Sequence, residues 1–133
     1  MTTLAEPSPS TASKTTFWIG RVLSAVVVLF MALGGVMNLL GSKQAVEEMA
    51  KRGYPESAVT VIGVLALAAA ILYAIPQTAV LGAIVLTAYF GGAVDAHVRA
   101  GESNWYFAVL FGVVTWLGIY LRDARVRAIV PIR

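Results

Sequence analysis

The sequence predicts an all-α membrane protein: a bundle of four transmembrane helices with a short interfacial helix between helices 1 and 2. Three observations predict it. The chain of 133 residues is 59% hydrophobic and only 13% charged, whereas soluble domains run about half apolar and about a quarter charged. A water-soluble fold of this size has too little interior to hide the excess. The apolar residues gather into runs of membrane-crossing length, and the charges sit between the runs. The runs also lack the alternation expected of a transmembrane barrel. Each run must therefore be helical, because lipid offers no partner to backbone N–H and C=O groups.

Residues 1–16 are rich in Ser, Thr and Pro and read as a disordered tail. A cleaved signal peptide is the competing reading. Only Lys14 supplies basic character before the apolar run, the run is too long, and Leu39-Leu40-Gly41-Ser42 reads as a helix exit. The transmembrane domain covers residues 17–121. Its first span, about 17–40, reaches about 35 Å, enough to cross the bilayer with some tilt. Phe17 and Trp18 open it where aromatics favour the interface, and Arg21 can snorkel back to the headgroups.

Residues 41–57 form a polar loop containing the interfacial helix, over 43–52. Glu47 stands one turn before Lys51, and Glu48 one turn before Arg52, the favourable order for surface pairs. Val46, Met49 and Ala50 fall on the other face, and Gly53 suits the position after the helix. A plain connector is the alternative. The second span is about 58–75 and the third about 78–96, with a break at Pro76-Gln77. A continuous helix there would be roughly twice the bilayer thickness, so the two spans are antiparallel neighbours. Residues 97–104 form a short polar loop. The fourth span, about 105–121, opens with Trp105 and Tyr106, and residues 122–133 form a basic tail.

An even number of spans puts both termini on one side. That side holds Lys14, Arg21, Arg122, Arg125, Arg127 and Arg133 against Lys43, Lys51, Arg52 and Arg99 on the other, so both termini are expected in the cytoplasm. The net charge of +3 and pI near 9.5 do not indicate nucleic acid. The charges flank apolar runs, so the lipid bilayer is the expected partner.

Absent cysteine excludes disulfides, thiol catalysis, Cys-ligated zinc and iron–sulfur clusters. A single histidine, His97, excludes a multi-His metal site. No phosphate loop, nucleophile elbow or metal-ligand spacing occurs, so neither catalytic nor metal residues are expected. Small residues at four-residue spacing support helix packing: Gly20 with Ser24, Gly34 with Asn38, Ala66 with Ala70, and Ala108 with Gly112. The third span carries most, with Ala79, Ala83, Ala88, Gly92 and Ala96, and is expected to be the most enclosed. Close packing is also the expected reason for Gly34-Gly35 and Gly91-Gly92.

Ionisable residues inside a membrane are expensive and mark functional candidates. Asp95, His97 and Arg99 cluster at the outer end of the third span, with Asn38 at the same level on the first. Asp95 and Arg99 can pair one turn apart, and His97 points elsewhere. A histidine there can accept a proton from a quinol or bind a quinone carbonyl; the plainer reading is a helix end meeting headgroups. For Asn38 the plainer reading is an interhelical hydrogen bond. Thr87 is placed to bond back to its own helix. Tyr73, Tyr106, Tyr120, Trp105 and Trp116 are expected in interfacial belts.

Pro76-Gln77-Thr78-Ala79-Val80-Leu81-Gly82-Ala83, then Tyr89-Phe90-Gly91-Gly92-Ala93 and His97-Val98-Arg99, resemble the third-helix signature of DoxX-like membrane proteins. Gly53-Tyr54-Pro55-Glu56 and Tyr120-Leu121-Arg122-Asp123 add to it, and the resemblance runs from about Phe17 to Arg133. It implies a four-helix protein of the bacterial inner (plasma) membrane. The founding member is similar to a subunit of a thiosulfate:quinone oxidoreductase. The chain departs from the family pattern at Ala66, where relatives often carry Glu, at Gln77 in place of Arg, and at Asp95 in place of a small residue. The lost acid weakens any carry-over of redox chemistry. The function expected is therefore an integral membrane protein without autonomous catalytic activity that binds a small apolar ligand or a membrane partner. The alternative is an accessory membrane subunit of a quinone-linked oxidoreductase. No cofactor is expected to be held by the chain itself, quinone being the one the resemblance admits. A redox partner subunit is the partner it implies, and a second copy of the chain is the other expectation. Transport is disfavoured, because no polar pathway or broken mid-membrane helix is visible.

Overall fold

Lipid-facing helices need an apolar surface all round, and the spans supply it. The protein is described over residues 11–129 in a computed structural model, with α1 at Thr11–Leu39, α2 at Lys43–Lys51, α3 at Glu56–Ala74, α4 at Ala79–Arg99, α5 at Tyr106–Arg122 and α6 at Ala124–Ile129. Short 3₁₀ turns at Pro76–Thr78 and Ser103–Trp105 lead into α4 and α5. Segments within α1, within α3, from Pro76 through α4, and from Ser103 through α5 are each long and apolar enough to cross a membrane. The chain is a multi-pass membrane protein.

Two boundaries move. α1 begins at Thr11, so residues 11–16 extend the helix rather than a disordered tail; residues 1–10 lie outside the described part. Once a long helix is nucleated, each further residue adds a hydrogen bond at little cost. The third span likewise continues through Arg99, so His97 and Arg99 sit on its last turn, where basic groups suit the helix dipole, and not in a loop.

α1 packs against α3 and α5, and α4 packs against the same two. The four form a ring in which α1 and α4 stand diagonally. The end carrying both termini is closed. A Cβ at Gly20 would meet the Arg122 backbone nitrogen at 2.7 Å and the Gly118 carbonyl at 2.8 Å, and a Cβ at Gly82 would fall on the Tyr73 backbone. Tyr73 is fully buried here, not in an interfacial belt. Its hydroxyl donates to the Thr115 carbonyl at 2.6 Å and lies 3.1 Å from the Ser24 hydroxyl. The Arg122 guanidinium stacks over its ring at 4.7 Å and donates to its carbonyl at 2.6 Å. Trp116 also leaves the belt: its indole N–H donates to Thr87 at 2.6 Å, joining α5 to α4. Thr87 donates in turn to the Ala83 carbonyl one turn back.

The tight α3–α4 connection is capped by Thr78, whose hydroxyl donates to the Leu72 carbonyl at 2.8 Å. The opposite end, where α2 lies, is held differently and opens into a cavity.

Candidate functional site: a capped cavity between the helices

α2 forms because Ser42 caps it, accepting from the Ala45 N–H at 3.2 Å. It ends where Gly53, at φ +86°, lets Gly53 N–H reach the Ala50 carbonyl and Tyr54 N–H reach the Met49 carbonyl, both at 3.0 Å. α4 ends in the same way. Gly101, at φ +73°, returns the chain so that Glu102 N–H donates to the His97 carbonyl at 2.9 Å. Two glycine-terminated helices thus deliver Arg52 and Glu102 to one place.

There Arg52 grips Glu102 with two parallel hydrogen bonds, Nε to Oε1 at 3.0 Å and Nη2 to Oε2 at 3.2 Å. Such bidentate pairs are the strong form of charge-assisted bond. Arg52 also lies 4.0 Å from Glu48, the partner its spacing predicts, but the closer pairing is to Glu102. The Arg52 hydrogen bond holds the Glu102 carboxyl below its ordinary value. His97 Nε2 stands 3.6 Å from the same carboxylate. Its Nδ1 lies 2.7 Å from the Ala93 carbonyl; a carbonyl only accepts, so that nitrogen carries the proton.

Beneath this cap lies a cavity of about 750 Å³ whose lining includes Asn38, Arg52, Tyr89, His97 and Asn104. Its deep wall is aromatic. Phe30 of α1 stacks on Phe111 of α5 with ring centroids 4.2 Å apart, and Phe90 of α4 stands 5.9 Å from Phe111. The wall is not sealed: Phe30, Leu65 and Phe107 line it while about half exposed. Leu65 sits at the middle of α3, so the side opening reaches acyl-chain depth.

The four candidate residues split. Asn38 and His97 line the cavity from opposite corners of the ring. Asp95 and Arg99 face outward and pair with each other at 3.0 Å, more than half exposed. The expected interhelical hydrogen bond of Asn38 is not made. The residue is only 9% exposed, packed where Gly63 leaves room for its Cβ, and no described residue pairs with the carboxamide, which is left to face the cavity.

The small residues also split. Gly35 is close-packed, with Leu67 within 2.8 Å of its would-be Cβ, but nothing lies within 4 Å of a Cβ at Gly34, Gly91 or Gly92. Gly34 and Gly92 line the cavity, with Ala88 and Ala96 beside them, so close packing does not explain the two glycines. Because α4 spends this half of its small face on the cavity, it is no more enclosed than α3. Among the described residues no three His, Cys, Asp or Glu converge as metal ligands.

Residues 22–118 match the DoxX-like family. This chain belongs to the DoxX-like family. The matched segment contains every residue that lines the cavity and leaves out α6 and Arg122. No curated protein and no solved structure matches this DoxX-like chain. The sequence reading missed Arg52 and Glu102 as a pair, although Gly101 was a signal: a glycine after a helix brings the next residue back beside the last turn. It also missed the aromatic wall, for which a lone sequence carries no signal.

Proposed function

We propose that this DoxX-like protein binds a small, largely apolar molecule taken from the bilayer, and has no catalytic activity of its own. The observation that carries the reading is the cavity. At about 750 Å³ it falls within the range of about 300–1,000 Å³ usual for ligand pockets. Its body is aromatic and aliphatic, its side opening faces lipid, and its polar groups gather at one end. Gly34 and Gly92 keep its walls clear. Extracting the purified protein and identifying retained small molecules by mass spectrometry tests it. Wild type should retain a defined apolar species, and Gly92→Phe should lose it. Equal retention by both would overturn the reading.

A second reading, accessory membrane subunit of a quinone-linked complex, is favoured by one observation. His97 presents Nε2 at the cavity beside Glu102, where a proton can be exchanged with a bound quinol. Quinone and a redox subunit co-purifying with the protein would support it; their absence from native-membrane preparations would sink it.

The family resemblance favours a bacterial inner membrane, and the basic residues favour both termini on its cytoplasmic side. The cavity then belongs to the outer leaflet. Cysteine in place of Ser103 should react with an impermeant reagent in intact cells, and cysteine in place of Arg127 should not. The reverse pattern inverts the orientation.

A further inference from the structure

We propose that Asn38 is the polar anchor of the cavity, and that the ligand it selects is an uncharged long-chain molecule ending in a hydroxyl. This rests on the cavity being a ligand site. Asn38 is nine-tenths buried, lines the cavity and has no protein partner among the described residues. Its carboxamide offers two donors and an acceptor. A head that both gives and takes a hydrogen bond satisfies both functions, and a hydroxyl is the smallest such head. A ketone accepts only and leaves the amide oxygen unpaired. Tyr89, which also lines the cavity and makes no hydrogen bond among the described residues, can complete the arrangement.

The charges argue for a neutral head. Arg52 is the cation at the cavity mouth, and it is held by Glu102 at 3.0 Å and faced by Glu48 at 4.0 Å. A carboxylate or phosphate head finds no uncompensated positive charge, and a charged head beside a nine-tenths buried amide is poorly solvated. From Phe30 to Asn38 along α1 is about 12 Å, which sets the depth available to the apolar chain between anchor and aromatic wall.

The test is competition binding to the full chain in lipid nanodiscs. Tritiated 1-dodecanol is displaced by 1-dodecanol, 2-dodecanone, dodecane or dodecanoate at matched bilayer mole fractions. In wild type the alcohol should compete about tenfold better than the alkane and better than the ketone or carboxylate, tenfold being about 1.4 kcal/mol. In Asn38→Leu the alcohol-to-alkane ratio should fall to about one. An unchanged ratio in Asn38→Leu, or a ketone or carboxylate equal to the alcohol in wild type, overturns the anchor. Alkane binding without alcohol preference also overturns the anchor and leaves the cavity reading intact. No displaceable binding by any probe overturns both. Should Asn38→Leu fail to fold, the wild-type ranking decides the question: alcohol above alkane, ketone and carboxylate supports the anchor, and any other order overturns it.

Discussion

The two halves of this bundle are made of the same residues and do opposite things. In the half near the termini, Gly20, Gly82 and Gly118 bring backbones together around Tyr73. In the half under α2, Gly35 and Gly63 still bring α1 against α3, but Gly34 and Gly92 leave open space along a cavity. A glycine in a membrane helix therefore has two uses, contact and clearance, and spacing alone does not separate them.

The sharpest way to break the comparison is to place the same side chain in each half. Gly82→Leu drives atoms into the Tyr73 backbone, and overpacking of this kind costs about 3 kcal/mol. Unfolding titrations in detergent should show a large loss of stability. Tyr73→Phe removes the bond to Thr115 and should cost about 1 kcal/mol in the same assay. Gly92→Leu meets open space and should hold or raise stability, since leucine gains up to about 1 kcal/mol over glycine in helix propensity. If Gly82→Leu and Gly92→Leu destabilise equally, the two halves are not distinct.

The smallest effect concerns the cap. Glu102 is held below the ordinary glutamate value of 4.5 by its bond to Arg52. A depressed value in the folded state means the pairing contributes fully above that pH and fades as pH falls beneath it. Spin labels at Gln44 and Ser103 should report a narrow distance distribution at neutral pH that broadens on acidification below 4.5. Glu102→Gln should be broad at every pH.

The spans were legible because lipid imposes long apolar runs, and α2 because Glu47, Glu48, Lys51 and Arg52 share one face. The site was half legible. Asn38 and His97 were placed at one level from helical rise alone. Asp95 and Arg99 were grouped with them as neighbours in the chain, although their one-turn spacing also predicted the pair they make, with His97 pointing elsewhere. Tyr73 read as interfacial because a tyrosine near a span end usually is. Only the approach of Gly82 and Gly118 makes that position an interior, and both approaches come from other helices. Likewise Glu102 meets Arg52 across two intervening helices; Gly101 signals the turn, but no local pattern encodes the meeting.

The ring order of the helices has a consequence for how the protein is made. The seam between α1 and α5 joins the first span to the last, with Gly20 against Gly118 and Arg122. Synthesis delivers spans to the membrane in sequence, and α1 can pair with α3 long before α5 emerges. One flank of the first helix therefore waits bare in lipid until the final span arrives. Arrival of α5 then shuts the ring at the terminal end.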